Sequence, residues 1–412
     1  MQKKIVIIGG GFAGLYAARA IARAARSRVS ITIVSRTNYF LFTPMLHEVA
    51  TGGLGHHQVV ESVREIVHGL PIDFYEATVQ TVNLAKKEIA TDRGAISYDM
   101  LVFAHGATTN YFNTKGAAER ALVLKDLSDA IALRNMIIER FETAAHETDS
   151  VVREKLLSFV VVGGGATGVE SAAEIAEFVN YTLVKYYKRG CLGTKPSVTL
   201  VQSGAELLPM FVPAIRTRAA KVLQKAGVRI LFNTKVQEVS ANGVTLAGGE
   251  MLSAATVLWT AGVKPNQIPT EDGVLPLHAS GRIRTDGAFR VEGYSDVFAI
   301  GDAAYVAGFG ERGLPMLAQV AIAEARHLGK NIRRMFDGKE MLPFAYHGKG
   351  ELVSLGRWEA VGSIFGIMVY GKLAWFLWRT VYLFKFISGS KRLRIAFDWT
   401  LQIFYPRDIT RA

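Results

Sequence analysis

Ile5-Val6-Ile7-Ile8-Gly9-Gly10-Gly11-Phe12-Ala13-Gly14 runs from four apolar residues into a glycine triplet, and Phe159-Val160-Val161-Val162-Gly163-Gly164-Gly165-Ala166-Thr167-Gly168 does the same again. Each is G-x-G-x-x-G directly after an apolar, strand-like run and directly before an Ala-rich, helix-like stretch. In that context the pattern reads as a dinucleotide-binding fingerprint. The first glycine permits a tight turn, the second lets backbone approach a pyrophosphate, and the third lets helix and strand pack closely. The helix N-terminus offers its unpaired N–H groups to the phosphates. The expected fold class is α/β, with two Rossmann-like domains. Gly9, Gly11, Phe12, Ala13 and Gly14 are cofactor-binding candidates in the first copy, and Gly163, Gly165, Thr167 and Gly168 in the second. Two loops imply two dinucleotides. A flavin and a nicotinamide form the commonest such pair, because hydride can pass between them.

The copies align beyond the loops. Lys4–Ile8 corresponds to Phe159–Val162, and Ser30–Val34 to Val198–Val201. The second helix is longer and extends through Asn180–Tyr187. Tyr98–Ala104 reads as a strand, about 128–145 as a helix, and the charged stretch 146–155 as a linker. Thr256–Gly262 and Asp296–Asp302 read as buried strands ending at glycine, and about 317–336 as a helix.

Bulk composition narrows the function classes. The 412 residues allow two or three domains, and half are hydrophobic, enough for large cores. The net charge of +12 includes no Lys/Arg block resembling a nucleic-acid arm, so a membrane surface is the expected anionic partner and no nucleic acid is expected. The single cysteine, Cys191, excludes a disulfide framework and any electron transfer through a Cys pair. It reads as an incidental thiol. The first strand starts at about Lys4, which leaves no room for a targeting peptide and keeps the body in the compartment where it is made.

The second strand of a nucleotide-binding βαβ unit usually ends in Asp or Glu on the ribose hydroxyls. Here the strands end at Ser35, followed by Arg36, and at Gln202. Both uncharged residues can hydrogen-bond a ribose. Gln202 also removes repulsion toward a 2′-phosphate, so some tolerance of NADPH is expected beside NADH; the alternative is an ordinary NADH preference with Gln202 as a neutral ribose ligand. Asp302 suits flavin ribityl hydroxyls or, alternatively, a helix N-cap. Glu170 suits a helix-dipole role or a place facing nicotinamide and electron acceptor. His47, His56 and His57 lack the carboxylate or cysteine spacing of a metal site, and no metal is expected.

With these motifs in place, the chain resembles the type II NADH:quinone oxidoreductases, single-subunit respiratory NADH dehydrogenases, over nearly its whole length. The resemblance rests on both glycine loops, Asn38-Tyr39 through Phe42, Pro44-Met45-Leu46, and His47–Gly53. It continues through Tyr98–Val102, Leu258–Val263, Ala299-Ile300-Gly301-Asp302, Ala318-Gln319-Val320-Ala321, Leu352–Arg357 and Ala360-Val361-Gly362. It implies FAD on residues 1–120 and 280–340, closed over by Gly301 and Asp302, with Ala318 and Gln319 near the isoalloxazine and quinone channel. It implies NADH on residues 121–279, near Gly163, Gly165, Gly168, Gln202 and the Ala261-Gly262 turn, with Glu170 near the nicotinamide. Glu170 and Gln319 become the catalytic candidates for acceptor-side positioning or proton delivery. Two features depart from the family. Ala323 and Glu324 stand where many members carry two glutamines at the quinone head group, and Ser35 stands where an acidic residue is usual.

A quinone is dissolved in lipid, and residues 341–412 read as a C-terminal membrane-association region. Ile364–Ile387 is apolar and aromatic, interrupted by Lys372, Arg379 and Lys385 on one side of a helix. Three charges in a span of about 20 residues argue against a transmembrane helix. They suit an amphipathic helix in the interface, with Trp and Tyr at headgroup depth. Lys391, Arg392 and Arg394 suit an anionic lipid surface, and a second apolar stretch runs from Ile395 to Tyr405. The alternatives are packing on the body, a homodimer interface, or a true span.

The expected cycle carries hydride from NADH to flavin and two electrons on to quinone, without proton pumping, at the cytoplasmic face of a prokaryotic inner membrane. A sulfide:quinone oxidoreductase would need cysteines this chain lacks. A flavin-dependent NADH oxidase or ferredoxin-type reductase gives no reason for the basic aromatic C-terminal region. A low-turnover nucleotide-binding redox sensor is the rival from another class.

Overall fold

In the computed structural model, residues 2–187, 192–348 and 350–411 are described; Cys191 lies outside them. The strands that carry the architecture are β1 (Lys3–Ile8), β2 (Val29–Ser35), β3 (Ile72–Glu76), β4 (Met100–Phe103), β5 (Ser158–Val162), β6 (Ser197–Val201), β7 (Val228–Leu231), β8 (Thr256–Trp259), β9 (Val297–Ala299), β10 (Gly350–Ser354), β11 (Ala360–Ile364) and β12 (Ile367–Tyr370). The helices are α1 (Phe12–Ala25), α2 (Leu46–Ala50), α3 (Leu127–His146), α4 (Ser150–Leu156), α5 (Ala166–Glu177), α6 (Pro213–Lys225), α7 (Ala318–Phe336), α8 (Gly371–Lys385) and α9 (Gly389–Phe404).

The chain divides into two compact units. The first comprises Met1–Leu41, Val60–Thr108 and Val263–His347; the second comprises Phe42–Val59, Thr109–Gly262 and Gly348–Ala412. These boundaries differ from those read in the sequence, falling at 108 and 262 rather than 120 and 279. Phe42–Val59 joins the second unit because α2 packs on α3 and α5. Residues 348–412 join it too, with β10 against α5.

The first unit is built on a parallel sheet ordered β9-β4-β1-β2-β3. Ile5 to Ile8 are buried, as continuous apolar runs are when both faces of a parallel sheet are covered. On one side α1 packs closely on α7: a Cβ at Gly329 would lie 2.6 Å from Ala20 Cβ. The second unit repeats the plan with the order β7-β6-β5-β8, again parallel. In both sheets the strand that feeds the glycine loop has its successor strand on one side and a later strand on the other. That reversal opens a crevice at the strand's C-terminal end, where open α/β sheets bind ligands.

Three local expectations change. The 146–155 stretch is not all linker, because Asp149 caps a helix there: its Oδ1 accepts from Val151 N (2.8 Å) and Val152 N (3.3 Å), and α4 follows. The Ile364–Ile387 stretch is not one helix. Phe365 (φ 49°) and Gly366 (φ 83°) make a two-residue turn of the twist that hairpins favour, joining β11 to β12 before α8 begins. Trp375 and Trp378 of α8 and Trp399 of α9 are buried in the unit rather than presented outward. Among the described residues no helix is long and apolar enough to cross a membrane. The extension of α5 is as expected, with π and 3-10 turns carrying it from Phe178 to Tyr186.

Candidate functional site

The two loops are the same structure twice. Gly9 and Gly163 both have φ +114°, a backbone setting that excludes most side chains. Gly9 N donates to Val34 O (2.8 Å) and Gly163 N to Val201 O (2.9 Å). A Cβ at Gly14 would lie 1.9 Å from Gly9 O, and one at Gly168 would lie 1.8 Å from Gly163 O. These glycines let the helix start against the strand end. Gly11 and Gly165 differ, because nothing lies within 4 Å of a Cβ built on them. No steric demand of the fold requires glycine there, so the open space above the middle glycine fits a phosphate brought against backbone.

In the first unit, Ser35 closes β2 beside the loop, its Oγ 2.9 Å from where a Gly10 Cβ would stand. Arg36 is exposed. Gly301 (φ +68°) is held so that a Cβ would meet Ala13 Cβ at 2.8 Å and Ala321 Cβ at 3.7 Å. The structure therefore brings Ala13, Gly301 and Ala321 together within this unit; Ala321 lies in the first turn of α7, which Ala318 and Gln319 open. Asp302 is not a helix N-cap. It lies inside a single 3-10 turn, Gly301–Ala303, whose cap position is Ile300, and a strand follows.

Glu324 turns into this same region. Its Oε2 accepts from Gly301 N. Burial pushes the carboxyl up to about 8; Asp302 reinforces this, against the Gly301 N–H and Arg282. The Arg282 guanidinium also donates to Leu314 O at 2.8 Å. In this chain, therefore, the residue that departs from the family pattern supports the Gly301-Asp302 turn.

In the second unit, Gln202 follows β6 and turns back on the loop. Its Oε1 accepts from Gly164 N at 2.9 Å, and its Nε2 donates to Glu206 O at 3.1 Å. Thr167 lies in the first turn of α5. Opposite, Thr260 Oγ1 donates to Val162 O at 2.9 Å, and Trp259 Nε1 donates to Ala261 O at 2.9 Å. The Ala261-Gly262 turn is thereby pinned beside Gly163, whose Cβ would lie 2.8 Å from Ala261 N.

Glu170 lies in the second turn of α5 and is buried, which rules out a role at the helix end. Its Oε1 accepts from Ser354 N (3.1 Å), and its Oε2 stands 3.9 Å from His47 Nδ1. Burial pushes its carboxyl up to about 8, with Ser354 N–H opposing and Glu174 and Glu48 reinforcing. Burial pushes the His47 imidazole down to about 4. Near neutral pH the pair is a protonated carboxyl beside a neutral ring, so the site can give a proton without holding net charge. Tyr382, whose hydroxyl burial makes harder to ionise, packs on Trp378 (5.0 Å) and Phe42 (6.1 Å) in the same unit.

Other side chains complete this interior. Glu170, Glu174 and Glu177 lie at i, i+4 and i+7 on α5. Arg407 reaches Glu174 Oε2 (2.5 Å) and Glu177 Oε1 (3.0 Å). Thr51 Oγ1 accepts from Arg407 Nη1 at 3.0 Å. Glu48 Oε2 accepts from Trp399 Nε1 at 3.0 Å. The acidic spacing was legible in Glu170-Ser171-Ala172-Ala173-Glu174-Ile175-Ala176-Glu177, but the cation that answers it was not.

The cations of the C-terminal helices are less outward than their spacing implies. Arg379 stacks over Trp375 (3.8 Å) and Trp399 (4.9 Å), and Lys385 lies over Tyr382 (4.6 Å). Lys391 donates to His57 O, and Arg392 Nε to Phe386 O at 2.8 Å. Lys372 and Arg394 are exposed.

Residues 3–325 match the family model described as pyridine nucleotide-disulphide oxidoreductase, and residues 348–408 that of the NDH2 C-terminal domain. The type II NADH:quinone oxidoreductase Ndh of Mycobacterium tuberculosis is 32% identical over 98% of this chain and 89% of its own. The type II NADH:quinone oxidoreductase of Staphylococcus epidermidis is 30% identical over 92% of this chain and 94% of its own. The solved structure of NDH2 from Plasmodium falciparum in complex with NADH shares the fold over the full length of both chains, with a TM-score of 0.89 at 21% identity. The sulfide:quinone oxidoreductase of Aquifex aeolicus also shares the fold, with a TM-score of 0.70 at 16% identity, over 98% of this chain and 96% of its own. The chain belongs to the type II NADH:quinone oxidoreductases, within the pyridine nucleotide-disulphide oxidoreductase family.

Proposed function

We propose that this protein oxidises NADH and reduces a membrane quinone by way of FAD, without pumping protons. The observation that carries the reading is the duplicated cradle: two glycine loops with matching φ angles and hydrogen bonds, each leaving open space over its middle glycine. The single cysteine leaves no route for electrons through a dithiol. The residues of the first unit fit FAD. Gly9, Gly11 and Gly14 admit a pyrophosphate at the start of α1, Ser35 faces a ribose, and Asp302 accepts from ribityl hydroxyls. When bound, FAD supplies the two-electron carrier.

The remaining work belongs to the chain. Gly163, Gly165 and Gly168 admit the NADH pyrophosphate, with Gln202 as an uncharged ribose partner, and we extend this to some tolerance of NADPH. Quinone reduction needs two electrons and two protons; the hydride of NADH brings both electrons and one proton, and the other proton comes from the medium by way of the chain. Glu170, carrying its proton near neutral pH and flanked by His47, is the proton donor toward quinone that the second unit offers, and Gln319 is the acceptor-side candidate of the first unit. Exposed apolar residues of α8, α9 and the β11–β12 turn, among them Phe365, Phe376, Phe397 and Phe404, rest on the lipid surface. Lys372 and Arg394 meet its anionic headgroups. We extend the reading to a homodimer held peripherally on the cytoplasmic face of a prokaryotic inner membrane.

Anaerobic stopped-flow absorbance at the flavin band tests the reading. NADH should bleach the band, and a short-chain quinone should restore it at a rate that supports turnover. Bleaching without recovery would reject quinone as acceptor, and absence of a flavin band in the purified protein would reject the whole scheme.

A further inference from the structure

A cavity of about 480 Å³ lies within the second unit, walled by α5 and its extension, α6, the β10–β11 connection and both C-terminal helices. Nothing in the reaction described above uses it. Its exposed lining includes Lys185, Lys225 and Arg357. Among the described residues, no carboxylate lies within ion-pair distance of Lys185 or Lys225. Its interior wall holds Trp358 against Trp375 (centroids 4.6 Å apart), with the Arg379 guanidinium over Trp375.

Four carboxylates also line it, and three have donors already. Arg407 holds Glu174 and Glu177, and Trp399 Nε1 holds Glu48. The fourth, Glu359, has a buried Oε2 with no hydrogen-bond partner. The groups with capacity left are thus cations at the exposed edge and one acceptor within. The wall also runs directly into exposed apolar surface: the half-exposed ring of Phe376 packs on Trp375 (5.1 Å) and Trp358 (5.9 Å), and exposed Tyr405 is itself part of the lining.

We propose that this cavity holds the headgroup of one membrane phospholipid, its phosphodiester at Lys185, Lys225 and Arg357 and a headgroup hydrogen-bond donor at Glu359. Basic pockets beside a membrane surface bind anionic headgroups in this way. The acyl chains leave over Phe376 and Tyr405 toward the bilayer. The headgroup class is set by the lining: a phosphodiester with hydroxyl or ammonium donors beyond it, as in phosphatidylglycerol or phosphatidylethanolamine. A choline headgroup has the phosphodiester but no donor. The inference rests on the membrane-face reading, and it adds a stoichiometric site to what is otherwise a non-specific surface.

The test uses the full-length, flavin-loaded protein in nonionic detergent with defined lipids, read by native mass spectrometry. The expected result is one phosphatidylglycerol or phosphatidylethanolamine retained per chain, with phosphatidylcholine retained about tenfold less. Lys185→Glu with Lys225→Glu should lower retention of phosphatidylglycerol about tenfold. Phosphatidylglycerol with brominated chains should quench tryptophan fluorescence, and Ala226→Phe, which narrows the cavity without touching a charge, should abolish that quenching. Equal retention of phosphatidylcholine, or full retention in the double variant, overturns the proposal. Displacement by inorganic phosphate makes it a soluble-phosphate site and also overturns it, as does a lipid-free dimer whose formation the Phe variant blocks. Flotation with vesicles containing phosphatidylglycerol separates the two readings: failure to float rejects the membrane face, whereas floating without selective retention rejects only this site.

Discussion

The Arg407 guanidinium lies 2.5 Å from Glu174 Oε2, with Glu174 buried in α5, across 233 residues of sequence. The same guanidinium holds Glu177, so one cation answers two carboxylates. Burial pushes the Glu174 carboxyl up, but the charge and hydrogen bond of Arg407, with Arg379 adding, outweigh it and hold it below the usual range. Removing the cation strands both carboxylates in a dry interior. Arg407→Ala should destabilise the protein by about 3–5 kcal/mol, as when one partner of a buried pair is removed. Arg407→Leu combined with Glu174→Gln and Glu177→Gln should recover most of that loss, since the uncompensated charge is then gone. Urea unfolding of the three proteins checks both expectations; a loss below about 1 kcal/mol in Arg407→Ala would show that solvent reaches the pair.

Glu170 should give the protein an alkaline weakness. Its carboxyl stands at about 8 when folded, against an ordinary value of 4.5. A group raised on folding adds stability that is fully present below the unfolded value and is lost as pH rises through the folded one. Stability should therefore fall between about pH 4.5 and pH 8, by up to roughly 1.4 kcal/mol for each pH unit crossed. Glu170→Gln keeps an acceptor for Ser354 N and removes the titration, so its stability relative to wild type should rise with pH across that window. His47, depressed to about 4, acts in the opposite sense and only below its ordinary value of 6.5. Melting curves at pH 7 and pH 8.5 separate the two. If Glu170 also donates to quinone, turnover in the wild type should fall above about pH 8, and that limb should be missing in Glu170→Gln.

The glycine loops offer a cleaner separation of fold from ligand. Gly11 and Gly165 have room for a Cβ, whereas Gly14 and Gly168 do not. Gly11→Ala should leave the melting temperature of flavin-free protein unchanged and weaken flavin retention at least tenfold. Gly165→Ala should raise the KM for NADH by a similar factor and leave flavin alone (about 1.4 kcal/mol of contact each). Gly14→Ala, with its Cβ 1.9 Å from Gly9 O, should destabilise the flavin-free fold itself. Equal damage from Gly11→Ala and Gly14→Ala in flavin-free protein would mean that the open space is not a ligand's.

What the sequence disclosed follows from where its constraints are local. Gly9 and Gly163 are imposed by a φ of +114° and a backbone neighbour, and the strand and helix that flank them are read from adjacent residues. The duplicated unit was legible for that reason. The partners of Glu170 were not: Ser354 lies 184 residues away, and His47 is carried in by a short helix on a segment separated from α5 in sequence. Glu324 looked like an altered quinone contact, because a motif aligns positions and does not show that the carboxyl turns toward Gly301 N. The C-terminal stretch misled for another reason. Apolar periodicity marks a face that avoids water, and it cannot say whether lipid or another helix covers that face. Trp375, Trp378 and Trp399 are covered by protein, and the residues left outward are phenylalanines and leucines between them.

That distinction makes the membrane face testable by choosing residues on the outward side alone. On α9, Leu393, Phe397, Leu401 and Phe404 recur every three or four residues and are exposed, while Ile395 and Trp399 on the same helix are buried. Such a stripe is amphipathic in the sense that suits an interface. Replacing Leu393, Phe397 and Phe404 by serine removes apolar area from the surface without opening the core, so the melting temperature should move little. Binding to vesicles containing phosphatidylglycerol should fall by at least a hundredfold, since each lost ring or isobutyl group withdraws about 1–2 kcal/mol of burial in lipid. Trp399→Ser should do the reverse, lowering stability through the lost core contact and the stranded Glu48 carboxyl. If the triple serine variant still floats with vesicles and its oligomeric state changes instead, the stripe is a contact between copies, and attachment must come from the β11–β12 turn and α8.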